Sequence, residues 1–186
     1  MPSHVSRLRK NFRYGTLVIM PPAQVRSMVD QLHAEYDPAS HAWYGAHITL
    51  TQPFVRQPRE DDWARLAQVT ARFDALRIEY GPLRSFLPYP CIWFEIRPKD
   101  RVLTLRRTLH DVGLFNLGLP HTDDFIPHMT ITEGRSGPRV DEGLLATLRD
   151  RCVGGSFLCA GVAYYVPDAR FHFTVERTLA LRPTNS

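Results

Sequence analysis

Apolar and polar positions along the chain follow two periods, which predict an ordered series of strands and helices. Residues 14–20 form a short apolar run typical of a buried strand, and residues 46–51 alternate strictly, as a half-buried strand does. Between them, apolar residues from Val25 to Tyr36 recur at helical spacing after the Pro21-Pro22 pair. This part of the chain is therefore predicted to run strand, helix, strand.

The rest of the chain continues the series. Residues 59–72 predict a helix with acids in its first turn, and residues 74–87 predict an extended segment that Gly81-Pro82 bends or turns into a hairpin. Six further elements are predicted: a strand at 91–97, a helix at 101–113 closed by Gly113, an alternating strand at 127–132, a helix at 140–150, and strands at 156–166 and 170–181.

The order strand, helix, His-containing strand, helix, strand therefore occurs twice, with an offset of about 80 residues. Self-similarity in element order indicates an internal repeat. We predict an α+β fold that is bilobal and pseudo-twofold, with two mostly antiparallel sheets facing a central groove and helices outside. Residues 1–186 are predicted to form a single domain of two lobes, with approximate repeat halves 14–88 and 89–181.

The motif that suggests chemistry is repeated in the two alternating strands. Residues 47–51 read HITLT and residues 128–132 read HMTIT, and we name them the first and second motif. Because strand side chains alternate between faces, the histidine and both threonines of each motif are predicted to share one face. The apolar residues between them are predicted to point to the core.

Two histidines presented in this way suit displacement at phosphorus. The attacking and leaving oxygens lie roughly in line, so one group must take a proton on one side and another must give a proton on the other. Imidazole does either near neutrality, since its ordinary pKa is about 6.5. Threonine hydroxyls can donate to the non-bridging phosphate oxygens, so that this chemistry requires no metal or other cofactor.

The pairing of the motifs carries more weight than either motif alone. His4 and His172 also begin a His-x-Ser/Thr sequence, but only the two motifs extend to His-x-Thr-x-Thr at equivalent places in the repeat. We assign His4 to a terminal tail. His172 is assigned to a strand whose apolar face comprises Phe171, Phe173 and Val175.

Composition and charge change the picture little. Apolar residues make up 44% of the chain and charged residues 23%, which is ordinary for a globular protein. The net charge of +4 favours anionic ligands weakly. Four basic residues near the start are predicted to lie in a solvated tail, with an RNA-contacting arm as the alternative: Arg7, Arg9, Lys10 and Arg13.

Cysteine usage and hydropathy suggest the compartment. The three cysteines include no CxxC pair, and Cys91 and Cys159 lie in apolar runs, so we predict buried thiols in a reducing environment. The start of the chain is basic and polar, and no apolar run approaches the ~20 residues of a membrane span. We therefore expect a cytoplasmic monomer without membrane contact.

Other sites were weighed against the motif pair. His121, Asp123 and Asp124 could bind a metal together with His128, which would then be a ligand rather than an acid or base. Five aromatic residues near the motifs could stack on a base: Tyr44, Phe54, Trp93, Tyr164 and Tyr165. The sequence contains no nucleophile elbow, P-loop or Gly-rich dinucleotide motif.

The two motifs and the duplicated order resemble the two-histidine (2H) phosphoesterase superfamily, which includes RNA 2′,3′-cyclic phosphodiesterases, also called 2′-5′ RNA ligases. HITLTQPF (47–54) is similar to the first family motif and PHMTI (127–131) to the second. The resemblance implies a groove with His47 and His128 as catalytic residues and Thr49 and Thr130 as substrate-binding residues. Members often carry a basic residue after the second motif, a role implied here for Arg135, and we add Tyr44 as a stacking candidate.

The function predicted is hydrolysis, or reversible ligation, of cyclic phosphate or 2′-5′ phosphodiester bonds in a phosphate-containing small molecule or at an RNA end. The alternative is a non-catalytic RNA- or nucleotide-binding protein on the same scaffold. The sequence leaves open the substrate, the direction of the reaction and which histidine is the base. It also leaves open whether Glu133, which precedes Arg135, repels a polyanion at the groove.

Overall fold

The computed structural model describes residues 4–184 of the chain. Six helices lie within this range: α1 (His4–Asn11), α2 (Ala23–Tyr36), α3 (Pro38–His41), α4 (Glu60–Thr70), α5 (Lys99–His110) and α6 (Glu142–Arg151). Eight strands accompany them: β1 (Thr16–Ile19), β2 (Ile48–Thr49), β3 (Leu76–Phe86), β4 (Tyr89–Arg97), β5 (His128–Thr132), β6 (Gly155–Cys159), β7 (Gly161–Pro167) and β8 (Phe173–Ala180).

The strands form one antiparallel sheet in the order β6-β3-β4-β5-β2-β1-β7-β8. The predicted α+β class with antiparallel strands is confirmed. The two predicted sheets correspond to two groups of four strands, β6-β3-β4-β5 and β2-β1-β7-β8. The groups are hydrogen-bonded to each other where Ile48 of β2 pairs with Met129 of β5. The two His-containing strands therefore lie side by side at the centre of the sheet.

The outer strands exchange between the two groups. β3, from the first half of the chain, pairs with β4, whereas β7, from the second half, returns to pair with β1. The strands β4, β3 and β6 follow β5 toward one edge of the sheet, and β1, β7 and β8 follow β2 toward the other. Each set of three contains strands from both halves of the sequence. This interleaving ties the two motifs to one framework.

One face of the central strands is closed by the main hydrophobic core. Ile48, Leu50, Met129 and Ile131 are fully buried there, in a cluster that also contains apolar residues of α2, α4, α5 and α6. The polar residues that alternate with them are only half-buried on the opposite face: His47, Thr49, His128 and Thr130. The alternation that predicted the strands therefore separates the core from the exposed face of the motifs.

The start of the chain differs from the prediction. The solvated tail is wrong for the described residues, because residues 4–11 form helix α1. Leu8 and Phe12, one helical turn apart, are half-buried, while Arg7 and Lys10 point to solvent. The basic residues that suggested a tail are the outer face of an amphipathic segment.

Three segments differ in detail. The segment 74–87 is a bend rather than a hairpin, since β3 continues through it with a register shift against β4 between Tyr80 and Leu83. The segment 156–166 is two strands separated at Ala160, and β2 is shorter than the predicted strand. Cys91 and Cys159 are buried free thiols, as predicted. Within residues 4–184, no helix is long and apolar enough to cross a bilayer.

Candidate active site

The register of the central strands brings the two motifs together with their polar residues crossed. Since Ile48 lies opposite Met129, the antiparallel register sets His47 opposite Thr130 and Thr49 opposite His128. Residues directly opposite in an antiparallel pair share a face. The histidine of each motif is therefore beside the threonine of the other motif, as a local twofold axis between β2 and β5 requires.

Each imidazole is held by the same backbone hydrogen bond. Nδ1 of His47 donates to the carbonyl oxygen of Gly45 at 2.8 Å, and Nδ1 of His128 donates to that of Ile126 at 2.7 Å. A carbonyl oxygen can only accept, so both neutral rings carry their proton on Nδ1 and leave Nε2 as the free nitrogen. The two rings thus present equivalent nitrogens for proton transfer.

Both motifs line one cavity on this face. Its polar centre contains His47, Thr49, His128 and Thr130, with Glu133 beside them. The remaining lining residues are mostly aromatic. They come from α1 and the turn after it, the start of β1, the segment after α3, and β7, β8 and the turn between them: Leu8, Phe12, Thr16, Trp43, Tyr44, Tyr165, Phe171 and Phe173. The cavity therefore joins a polar centre, formed by the two motifs, to an apolar wall.

Aromatic rings enclose each imidazole. His47 contacts Tyr44 and Tyr165, with ring centroids 5.4 and 5.2 Å away. His128 contacts Phe86 at 5.3 Å and Trp93 at 5.6 Å. Such packing fixes the orientation of the rings and reduces their access to water.

Burial also affects the protonation of both rings. Burial lowers the pKa of His47 below its ordinary value, and the proximity of His128 lowers it further, against the hydrogen bond to Gly45. Burial likewise lowers the pKa of His128, opposed by its hydrogen bond to Ile126 and by the charge of Glu133. Since each charge disfavours the other, singly protonated states of the pair are favoured over the doubly protonated one.

Tyr44, predicted as a substrate-binding residue, lies between His47 and the buried His33. Its hydroxyl oxygen is shielded from solvent and has no hydrogen-bond partner among residues 4–184. Burial raises the pKa of Tyr44 well above the ordinary phenol value, and the negative charge of Glu133 adds to this. Tyr44 is thus a neutral hydroxyl close to the side chains of Ser40 and Glu133.

Arg135 lies next to the cavity rather than in its lining. Its Nε donates to Glu133 Oε2 at 2.9 Å, and its guanidinium lies over the ring of Trp43 at 4.8 Å. Glu133 itself lines the cavity, which answers the question that the sequence left open about its position. Its carboxylate has Arg135 as its counterion.

Asp37 holds the loop that carries this pair. Its carboxylate accepts hydrogen bonds from the backbone N–H groups of Glu133 and Ser136 at 2.9 and 3.2 Å, and from the hydroxyl of Ser40 at 2.9 Å. Burial alone would raise the pKa of Asp37, but these hydrogen bonds lower it overall. The ionised carboxylate therefore joins the start of α3 to the loop after the second motif.

The second threonine of each motif has a structural contact instead. Thr51 Oγ1 accepts from the backbone N–H of Leu17 at 3.0 Å, and Thr132 Oγ1 accepts from that of Gly134 at 3.0 Å. Both threonines are buried. Neither threonine lines the cavity, so only the first threonine of each motif is exposed there beside the histidines.

The remaining candidates lie elsewhere. His121 is exposed and contacts Asp124 at 3.3 Å, and residues 4–184 contain no group of three acidic, histidine or cysteine side chains placed to hold a metal ion. Phe54 and Tyr164 pack against each other in the core. His172 contacts Asp168 on the surface at 3.5 Å.

The assigned apolar face around His172 is wrong in part. Val175 is exposed, while Phe171 and Phe173 line the cavity instead. Leu8 and Phe12 had no role in the sequence-based prediction. Their i, i+4 spacing in a short amphipathic segment was a signal for a helix, but not for where that helix would pack.

Comparisons with known proteins bear on the family and the fold. The family described as the 2'-5' RNA ligase superfamily matches residues 20–170. No curated protein matches the chain. Three solved structures serve as reference: Escherichia coli LigT complexed with NADP+ (18% identity, TM-score 0.55), TT0787 of Thermus thermophilus (18%, 0.63) and a phosphoesterase (18%, 0.57).

Each of these alignments covers 91% of this chain and 98% of the other. At such identities the likeness shows a shared fold. The family match, which extends over most of the chain, shows more: the chain belongs to the 2'-5' RNA ligase superfamily.

Proposed function

We propose that this member of the 2'-5' RNA ligase superfamily is a metal-independent phosphoesterase that uses two histidines as acid and base. It would hydrolyse, or reversibly form, cyclic phosphate or 2′-5′ phosphodiester bonds in nucleotides or at RNA ends. One observation carries the proposal: His47 and His128 line the same cavity, and each is anchored through Nδ1 so that Nε2 is free.

In the hydrolytic direction the chemistry needs one neutral and one protonated imidazole. Nε2 of the neutral ring takes a proton from water as the water oxygen attacks phosphorus. Nε2–H of the protonated ring gives its proton to the departing ribose oxygen, and a phosphomonoester remains. The protonation states of the two rings are exchanged, and proton exchange with solvent restores them. With an alcohol in place of the attacking water, the same steps join that alcohol to phosphorus as the ribose oxygen departs, and a phosphodiester bond forms.

The threonines are assigned to the charge on the phosphate. Thr49 and Thr130 each lie beside the histidine of the other motif, so a phosphate between the rings would receive a hydroxyl donor from either side. Glu133 supports the singly protonated state, since its charge raises the pKa of both imidazoles against the effect of burial. Arg135 is proposed to act on substrate through Glu133, whose charge it balances.

The ligands of related structures favour a small phosphate-bearing substrate. Escherichia coli LigT has been crystallised with 3'-AMP, at 17% identity to this chain and a TM-score of 0.56, and with phosphate. We propose that the cavity of this chain takes a ligand of the same class.

A substrate panel in EDTA, followed by phosphorus NMR, tests the proposal. The panel comprises a 2′,3′-cyclic mononucleotide, an RNA with a 2′,3′-cyclic end and a 2′-5′ oligoadenylate. Turnover of at least one compound, unchanged by the chelator, is expected. Loss of turnover in EDTA would contradict a metal-independent mechanism. Salt-sensitive RNA binding without any turnover would instead favour the non-catalytic alternative.

A further inference from the structure

One face of α5 carries two buried polar side chains, Arg106 and His110, which lie one helical turn apart. Both reach the segment that follows the first strand motif. Arg106 Nη1 donates to the carbonyl oxygen of Leu50 at 2.7 Å. His110 Nε2 accepts from the backbone N–H of Gln52 at 3.0 Å. Because β2 ends at Thr49, this segment lies beyond the strand, and α5 supplies partners for two of its buried backbone groups.

Arg106 also contacts the loop that leads into the second motif. Its Nη2 donates to the carbonyl oxygen of His121 at 3.1 Å, and its guanidinium lies over the ring of Phe125 at 4.1 Å. The Phe125 ring in turn contacts His128, with ring centroids 6.0 Å apart. The next residue, Ile126, provides the carbonyl oxygen that holds Nδ1 of His128. One side chain is therefore bonded both to the first motif and to the loop that orients the histidine of the second.

The environment of Arg106 is costly for a charged group. The residue is 2% exposed, its terminal nitrogens donate to backbone carbonyl oxygens, and its Nε has no hydrogen-bond partner among residues 4–184. Burial lowers the pKa of Arg106 to about 10, so the guanidinium stays charged near neutral pH. An apolar side chain of similar size would fill the same space at a lower cost in stability. What the guanidinium adds is geometry, because its planar fork of donors fixes two carbonyl groups relative to each other.

We propose that Arg106 is a positioning residue of the active site, which fixes the loop before His128 relative to the first motif and so sets the distance between the two imidazoles. The inference rests on the proposed function, since proton transfer on both sides of one phosphate needs that distance. Within residues 4–184, Arg106 lies outside the lining of the cavity. It therefore acts through the Ile126 carbonyl and the Phe125 ring, without touching substrate.

The two histidines should respond differently to the loss of Arg106. His128 depends on a carbonyl of the loop that Arg106 holds, whereas His47 is hydrogen-bonded to Gly45 and packs against Tyr165. A selective change at His128 therefore separates a positioning role from a general loss of stability, which would affect both rings.

Arg106→Lys and Arg106→Met test the proposal beside Arg107→Lys, a control on the same helix whose side chain is exposed. Lysine keeps the charge but lacks the fork of donors, and methionine keeps only the bulk. With a 2′,3′-cyclic nucleotide, kcat should fall about tenfold to a hundredfold in both variants of Arg106, as misplacement of a reacting group by about 1 Å implies. KM should stay close to the wild-type value, because no contact with substrate is lost. The control should behave as wild type.

Nitrogen NMR of the histidine side chains gives a second readout that needs no turnover. At pH ~8, His47 should stay in the Nδ1–H form in every variant. His128 should become a mixture of tautomers in Arg106→Lys and Arg106→Met, because the Ile126 carbonyl is no longer held in place against its ring. Urea denaturation at the same pH establishes that each variant is folded.

Unchanged kcat in Arg106→Lys would overturn the proposal, and so would an Nδ1–H tautomer of His128 as complete as in wild type. An equal change at His47 and His128 would also overturn it, since it would show a general loss of structure. If Arg106→Met does not fold, Arg106→Lys decides the question. If the wild-type protein turns over no substrate, the proposed function fails by itself, and the tautomers of the two histidines still support or refute the role of Arg106.

Discussion

The first and second motifs have the same sequence pattern and the same anchoring hydrogen bond, but different surroundings. The second motif lies in the five-residue strand β5, which pairs with β4 on one side and β2 on the other. The first motif contributes only two residues to its strand. Both histidines nevertheless hold their Nδ1 within 2.8 Å of a carbonyl oxygen two residues earlier. The local hydrogen bond, rather than the length of the strand, therefore sets the orientation of the ring.

The surroundings determine what each side of the cavity can do. His47 of the first motif contacts Tyr44 and Tyr165. Buried histidines lie behind this motif, since His33 contacts Tyr44 and His110 Nε2 accepts from the backbone N–H of Gln52 at 3.0 Å. The second motif is followed by the loop that carries Glu133 and Arg135. Two equivalent imidazoles are thus placed in an asymmetrical cavity, in which one side is aromatic and the other carries an ion pair.

Removal of either imidazole should have the largest effect. His47→Ala and His128→Ala are each expected to reduce kcat by about 10²- to 10⁴-fold, because either loss removes one of two proton-transfer groups. The double variant should lose little more than the single ones, since the two groups act as a unit. Steady-state rates with a 2′,3′-cyclic nucleotide measure this.

His172→Ala is the matched control, because His172 also begins a His-x-Thr sequence but lies on the surface. It should retain wild-type turnover. Near-full activity of one motif variant and complete inactivity of the other would contradict the symmetrical mechanism.

The buried histidines behind the first motif should make stability depend on pH. Burial lowers the pKa of His33 to about 4, and burial together with the charge of Arg106 lowers that of His110 to about 4. The unfolded chain takes up these protons near pH ~6.5, so the stabilisation is complete above that value and is lost as pH falls toward 4. Each histidine should contribute a decrease of about 3 kcal/mol in the free energy of unfolding over this window.

Urea denaturation at several pH values between 7 and 4 measures this decrease. His110→Gln keeps an acceptor for the Gln52 N–H but does not titrate, so the pH dependence of unfolding should be less steep in this variant. An equal slope in the variant and the wild type would show that His110 is not the group responsible.

The threonines separate chemistry from stability within each motif. Thr49→Val and Thr130→Val should each lower kcat roughly tenfold to a hundredfold, since each removes a donor to the charged phosphate, and they should leave stability nearly unchanged. Thr51→Val and Thr132→Val should instead lower the free energy of unfolding by about 1–3 kcal/mol, because a backbone N–H loses its acceptor. Kinetics and thermal denaturation of all four variants distinguish the two roles, and the reverse pattern would contradict the assignment.

Much of this framework follows from local pattern. The alternation at 47–51 and 127–132 predicted the central strands, and helical spacing predicted α2, α4, α5 and α6 close to their observed bounds. Such signals are short-range, so they identify the elements and the face of His47 and His128. The exchange of β3 and β7 between the strand groups depends on long-range pairing, which no local period encodes.

The aromatic lining of the cavity could not be predicted from the sequence for the same reason. Phe12 and Phe173 are more than 150 positions apart, and their contact depends on the return of β7 and β8 to β1. The conformation of Phe171 depends on hydrogen bonds to Asp168 and not on its own preference. By contrast, Glu133 could be placed near the groove from its position after the second motif, although its pairing with Arg135 could not be resolved.

The smallest effect is expected at Glu133. The pKa of both imidazoles is lowered by burial, so the optimum of kcat/KM against pH should lie below about 6.5. Glu133→Gln removes a charge that raises both pKa values, and the optimum should move further to acid pH. A pH–rate profile of the two proteins measures the displacement, and a move to alkaline pH would contradict the electrostatic role assigned to Glu133.

Nitrogen NMR of the histidine side chains tests most directly whether two equivalent Nε2 atoms face one anion-sized gap. At pH ~8, His47 and His128 should both be the Nδ1–H tautomer, as their hydrogen bonds to Gly45 and Ile126 require. Inorganic phosphate, added stepwise at a pH near the imidazole pKa values, should shift both Nε2 resonances with a single dissociation constant. An Nε2–H tautomer in either ring, or a phosphate response from only one of them, would contradict the account.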